Sequence, residues 1–154
     1  MNGKPGNPAE RLDPAECWEL LGQATVARLA VIVDRQPEIF PVNYVLDKGT
    51  AVFRSDVGTK VRAAIQDLCA MEVDGYDAGT GTAWSVVVKG PVRIITDPQE
   101  KKVVDALHLD PWQPGPKVHY LRLLPAVVTG RRFKTTRPDI WTTPVTDART
   151  EEFH

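Results

Sequence analysis

The sequence predicts a mainly β chain, a small β-barrel with peripheral α-helices, and three observations carry that reading. The chain has 154 residues, 42% hydrophobic and 25% charged, which fits one globular domain with a single core. It holds 19 Val, 6 Ile and 13 Thr against 11 Leu, and β-branched side chains suit a pleated surface better than a helix. Finally, 13 Pro and 11 Gly punctuate it at short intervals, leaving runs the length of strands. Closing such valine-rich strands into a barrel removes the exposed edges that would otherwise aggregate.

Residues 1–11 are polar and contain Gly3, Pro5, Gly6 and Pro8, so they are expected to form a flexible tail. Asp13-Pro14-Ala15-Glu16 then has the grammar of a helix start: an N-cap carboxylate, proline at the first helical position, and a glutamate placed to reach back. Cys17, Leu20 and Leu21 give that helix an apolar face, and Gly22 is expected to end it. Val26 to Val33 and Glu38 to Leu46 read as a hairpin about the turn Asp34-Arg35-Gln36. Asp47-Lys48-Gly49 turns the chain into a third strand, Thr50 to Ser55. The period then changes, because Val61, Ala64, Ile65 and Leu68 recur at helical spacing and predict a helix from about Gly58 to Leu68.

Cys69 to Tyr76 is a fourth strand, and Asp77 to Thr82 (DAGTGT) reads as a flexible connection. Ala83 to Thr96 is a long strand whose Gly90-Pro91 predicts a kink or bulge. Asp97-Pro98-Gln99-Glu100 repeats the helix-start grammar before Val103, Val104 and Leu107, and that helix stops before Pro111. After a proline-stiffened loop, Asp110 to Pro116, two last strands follow, Val118 to Leu124 and Ala126 to Phe133. The domain thus runs over residues 12–133, and residues 134–154 are expected to be irregular.

Charge and composition narrow the partners. With 19 Lys+Arg against 20 Asp+Glu, the net charge is -1, which argues against nucleic acid or an anionic membrane held by bulk positive charge. No apolar run reaches the length of a membrane span, and the start MNGKPGNPAERLD offers no secretion signal, so a cytoplasmic location is expected. Cys17 and Cys69 form no CxxC pair, and the three histidines have no ligand spacing, so no metal is expected.

The most informative segment for chemistry is Phe53-Arg54-Ser55-Asp56-Val57-Gly58-Thr59-Lys60. A strand delivers Arg54 and Ser55, and a helix begins under Thr59 and Lys60. Free amides at the positive end of a helix, hydroxyls, a guanidinium fork and an ammonium are what a phosphate needs. The same charges equally suit a solvated strand-to-helix turn. Pro41-Val42-Asn43-Tyr44, on the neighbouring strand, offers a flat surface with one amide for a heteroaromatic ring, or else an edge proline with a turn-facing Asn. Trp84-Ser85 suits ligand contact, core or oligomer interface.

Taken in order, Glu16-Cys17-Trp18-Glu19-Leu20-Leu21, Arg28-Leu29-Ala30, Pro41-Val42-Asn43-Tyr44, Phe53-Arg54-Ser55 with Gly58-Thr59-Lys60, Trp84-Ser85-Val86-Val87-Val88-Lys89-Gly90 and Thr129-Gly130-Arg131-Arg132 resemble the pyridoxamine 5'-phosphate oxidase-like flavin-binding split barrels. Within them the chain looks closest to the branch holding nitroimidazole-resistance proteins and small actinobacterial proteins. The resemblance implies a six-stranded antiparallel split barrel that forms a homodimer, with FMN in a cleft at the subunit interface. It also implies that Arg54, Ser55, Thr59 and Lys60, with Gly58 at the turn, hold the FMN phosphate. Pro41, Val42, Asn43 and Tyr44, with Val52, Phe53 and Arg54, would line the isoalloxazine through backbone groups, and Trp84 and Ser85 would contribute to the same cleft, from the same chain or from its partner. The function implied is a flavin-dependent oxidoreductase acting on a small planar substrate. A non-catalytic carrier or sensor of flavin, the deazaflavin F420 or haem is the alternative. No histidine occurs between residues 60 and 80 to match that of the nitroimidazole-resistance proteins.

Overall fold

A computed structural model of the protein describes residues 9–55, 58–109 and 119–135. The predicted loop from Asp110 to Pro116, residues 1–8 of the predicted tail and nearly all of the predicted C-terminal segment lie outside the described residues. Among the described residues eleven elements follow in order: β1 (Glu10–Arg11), α1 (Pro14–Gln23), β2 (Val26–Val33), β3 (Gln36–Asp47), β4 (Thr50–Ser55), α2 (Thr59–Gln66), β5 (Leu68–Asp77), β6 (Thr82–Ile94), α3 (Pro98–Asp105), β7 (His119–Leu123) and β8 (Val127–Lys134).

The strands run antiparallel in the order β1-β8-β6-β5-β2-β3-β4-β7, and β7 also pairs with β6. That last pairing closes β2 to β7 into a six-stranded barrel, as expected. The closure depends on the bend predicted at Gly90-Pro91. Up to Lys89, β6 pairs with β8; from Val92 onward it pairs with β7. At the changeover the backbones touch: a Cβ on Gly90 would stand 1.8 Å from the Leu124 carbonyl oxygen, so only glycine fits. Hydrogen bonds from Leu124 N–H to the Pro91 carbonyl (2.9 Å) and from Ala126 N–H to the Lys89 carbonyl (2.8 Å) fasten the crossing.

Alternation along the strands fills the barrel. Leu29, Val42, Tyr44, Phe53, Met71, Val73, Val86, Val88, Leu121 and Leu123 all point inward and are buried, and α1 and α2 add Cys17, Leu21, Val61 and Ala64 to the same core. Each fully buried large side chain contributes about 1.5–3 kcal/mol. The Tyr44 hydroxyl, buried with its ring, donates to the Leu21 carbonyl, and burial pushes its pKa up to about 12. A second, smaller cluster lies on the outside of the barrel, where Val52 of β4, Ile95, Val104 of α3 and Leu109 pack with Val45 and Tyr120.

The helix starts are capped as predicted on one side only. Asp13 accepts from Glu16 N–H (2.9 Å) and Asp97 from Gln99 N–H (3.1 Å). The glutamates three residues on do not reach back. Glu16 turns to Arg132 of β8 at 3.4 Å, and Glu100 meets Arg93 of β6 at 2.7 Å and Arg122 of β7 at 2.9 Å. Both helices are thereby tied to the barrel wall. Arg122 is only 7% exposed and also donates to Asp47 (2.9 Å) and Thr50 (2.7 Å), so its charge is fully matched in a site where an unmatched one would cost about 3–5 kcal/mol.

Four sequence expectations change. Gly22 lies inside α1 instead of ending it. Glu10 and Arg11, assigned to the tail, pair with Arg132 and Arg131 as an edge strand on β8. α2 stops at Gln66, so Leu68 opens β5 as an exposed strand residue and does not share the helical face of Val61. The DAGTGT segment is a hydrogen-bonded turn: the Asp77 carboxylate accepts from Gly79 N–H (2.8 Å), and Gly81, at φ +65°, donates to the Asp77 carbonyl.

Candidate functional site

Strand alternation divides the predicted site residues between the two faces of the wall. Val42, Tyr44 and Phe53 are barrel core, so a ligand on the outer face meets only their backbone. Pro41, Asn43, Val52 and Arg54 share that outer face: Pro41 is exposed opposite Arg28, Val52 is buried in the outer cluster, and Asn43 and Arg54 are half-buried. Since Val45 pairs with Val52 and Tyr44 with Phe53, Asn43 and Arg54 come next on neighbouring strands. Ser55 ends β4 in register with His119.

Beyond Ser55, Gly58 is the N-cap of α2 and has no side chain to cap it; nothing among the described residues lies within 4 Å of where its Cβ would stand. The first-turn amides of α2 therefore receive no side-chain cap from Gly58, and uncapped amides at a helix start favour an anion. Thr59 and Lys60 form the start of that turn, and their side chains lie outside the described residues.

Two features of this face were not legible in the sequence. The first is Tyr120, which pairs with Arg54 across β4 and β7 and presents its ring to the guanidinium, with the carbon Cζ 5.2 Å from the ring centroid. Its hydroxyl donates to the carboxylate of Asp105, the last residue of α3, at 2.7 Å. Burial pushes the Tyr120 phenol up, the Asp105 hydrogen bond adds to that, and Arg54 pulls the other way. The second is a pocket of about 240 Å³ between β3 and the chain leaving α3, with Thr25, Asn43, Tyr44 and Val45 on one side and Leu107, His108 and Leu109 on the other. His108 takes a left-handed backbone (φ 55°) to bring this wall round. Metal spacing gave no reason to single it out; the signal available was only that the apolar pattern of α3 continues past Asp105 to Leu107 and Leu109.

Trp84 and Ser85 stand elsewhere. Trp84 packs over Gly75 and pairs with Arg132, near the start of β6. Tyr120 lies beside Ile95, just past the other end, where Ile95 N–H donates to its carbonyl. Trp84 and Ser85 pair with β5 and β8 before the Gly90-Pro91 bend, whereas Arg54 pairs with Tyr120 of β7, whose partners on β6 lie beyond that bend.

Among the described residues, no group of three His, Cys, Asp or Glu side chains is placed to hold a metal, and no helix is long and apolar enough to cross a membrane. The arrangement is thus a guanidinium backed by an aromatic face, with a pocket alongside and an uncapped helix start four residues further along the chain. A planar molecule carrying a phosphate matches both parts.

Comparison with known proteins identifies the family. The family model described as pyridoxamine 5'-phosphate oxidase matches residues 13–132. The FAD-binding protein of Mycobacterium smegmatis is 36% identical, with 81% of this chain and 98% of that one aligned at a TM-score of 0.70. A Corynebacterium glutamicum protein named for pyridoxamine 5'-phosphate oxidase is 33% identical, over 83% of this chain and all of the other, at a TM-score of 0.74. The uncharacterised Mycobacterium tuberculosis protein Rv0080 is 30% identical over 79% of this chain and 83% of its own length. With a family match across most of the sequence and a barrel that superposes on solved relatives over four-fifths of its length, the chain belongs to the pyridoxamine 5'-phosphate oxidase family.

Proposed function

We propose that the protein binds a flavin nucleotide and works as a flavin-dependent oxidoreductase on a small planar substrate. The observation that carries this is the placing of Arg54, over the Tyr120 ring, on the same outer face as the pocket bordered by Asn43. Arg54 and the first-turn amides of α2 would hold the phosphate, joined by Ser55, Thr59 and Lys60. The isoalloxazine would lie against β3 and β4, where Asn43 supplies an amide and Val45 and Leu109 supply apolar surface. Bound there, a flavin supplies the electron chemistry; the chain's part is to bind, orient and exclude water.

FMN and FAD share the phosphate that Arg54 would take. Sequence reading favours FMN, and the name of the 36% identical mycobacterial relative supports FAD, so the proposal is a flavin nucleotide of either length. It extends to a homodimer in a cytoplasmic setting. Ile32, Ile39 and Leu68 are 56, 66 and 62% exposed, and the pairings of Ala30 with both Ile39 and Ala70 bring them onto one outer face. An apolar patch of this kind suits a second copy of the chain, whose Trp84 and Ser85 would then reach the cleft.

The test is titration of the purified chain with FMN and with FAD, repeated on the double variant Arg54→Ala, Lys60→Ala. Charge-assisted contacts contribute about 1.5–3 kcal/mol each, so the double variant loses at least ~100-fold in affinity. Unchanged affinity would remove the phosphate assignment. Reoxidation of the bound flavin that ignores every acceptor offered would replace the oxidoreductase with a carrier.

A further inference from the structure

We infer that Tyr120 and Asp105 are positioning residues that set the Arg54 guanidinium for the phosphate before any ligand arrives. The inference rests on the flavin-nucleotide reading above, but on different observations. An arginine on a strand end has a long side chain with many rotamers, and a site that leaves it loose loses affinity when the ligand must order it. Here the side chain runs over a ring held from several sides. Tyr120 is locked by the β4–β7 register, which places it directly across from Arg54, and by packing in the cluster of Val52, Ile95, Val104 and Leu109. Its far end is fixed by the hydrogen bond to Asp105 at 2.7 Å.

Asp105 is itself held, because α3 is tied to the barrel at its other end. There Glu100 binds both Arg93 and Arg122, while Val104 is fully buried. The chain of support thus runs from a helix clamp through a carboxylate and a phenol to a guanidinium 5.2 Å above the ring. Neither Tyr120 nor Asp105 is needed as a ligand contact for this role. Each acts through Arg54.

A double-mutant cycle on FMN affinity separates positioning from general damage. In the wild-type background Tyr120→Leu raises the FMN dissociation constant about tenfold. In an Arg54→Ala background the same change raises it less than twofold, because nothing is left to position. Tyr120→Phe, which keeps the ring, stays within about threefold of wild type. Should Tyr120→Leu fail to fold, Asp105→Ala carries the same cycle, with a cost of about threefold that vanishes with Arg54. Equal costs in both backgrounds would overturn the inference and leave the site intact. If Arg54→Ala alone leaves FMN affinity unchanged, the phosphate reading itself fails, and this inference fails with it.

Discussion

Gly90→Ala and Gly22→Ala make the same chemical change at two points and should move stability in opposite directions. At Gly90 the added methyl would stand 1.8 Å from the Leu124 carbonyl oxygen, 2.9 Å from its carbon and 3.1 Å from Ala126 nitrogen. Ordinary contact begins near 3.4 Å, so the β7–β8 connection must retreat by about 1.6 Å, and backbone on both sides leaves no flexible side chain to yield. The bonds from Leu124 N–H to Pro91 and from Ala126 N–H to Lys89 do not survive such a shift. Two lost bonds between poorly solvated groups cost about 1–3 kcal/mol each, or roughly 4 kcal/mol together. For a chain of this size that lowers Tm by about 10 °C.

Gly22, by contrast, lies inside α1, and its nearest neighbour would be Leu46 Cδ1 at an ordinary 3.8 Å. Alanine there removes glycine's helix penalty and stabilises by about 0.5–1 kcal/mol, raising Tm by roughly 2 °C. Urea unfolding and thermal melts followed by circular dichroism read both. A Gly90→Ala protein as stable as wild type would refute the close crossing of β6 under the β7–β8 connection, and with it the account of how the barrel closes.

Three further predictions concern charge, thiols and assembly. The Arg93 side chain, and after it Arg122, holds the Glu100 carboxyl below the usual carboxylate range. The stability this gives is complete above the unfolded value of about 4.3 and is lost as pH falls through the lower folded value. Melts from pH 7 down to 3 should therefore show an acid limb that is shallower in Glu100→Gln; identical limbs would contradict the clamp. Burial pushes the Cys69 thiol up to about 11 and, with Asp13 nearby, raises that of Cys17 as well. Both should resist a thiol reagent at pH 8 until urea unfolds the chain, and stoichiometric labelling of the native protein would contradict the buried core. If the proposed homodimer forms through this face, Ile39→Lys with Leu68→Lys should yield a monomer by light scattering and weaken flavin binding together with it. A wild-type chain that is already monomeric would remove the shared cleft.

Most of the barrel was legible because period-2 alternation and strong turn residues agree along its length. Asp34 and Arg35, at φ 50° and 65°, and Lys48 with Gly49, at 48° and 72°, adopt the paired left-handed conformations that tight hairpins need. The errors arose where a tertiary partner overrides local grammar. Glu16 and Glu100 stand where a capping box would use them, yet arginines on neighbouring strands offer a full charge instead of an amide. Leu68 fits the helical spacing of α2, but strand β5 takes it.

The site was half legible for a related reason. Arg54 and the start of α2 are contiguous in sequence, so spacing alone brings them together. Tyr120 lies sixty-six residues away and meets Arg54 only through strand register, which no local pattern encodes. Alternation also shows that the predicted run Pro41 to Tyr44 is two sets of residues, Pro41 and Asn43 on the outer face and Val42 and Tyr44 in the core.

The central claim is that this chain carries a flavin nucleotide, and the visible spectrum of the purified protein tests it most directly, with the mass of whatever is released on denaturation. The purified protein is expected to be yellow, or colourless and turning yellow with a higher Tm when FMN or FAD is added, and to release a mass equal to one of the two. A protein that stays colourless, with an unchanged Tm in excess of both, would contradict it.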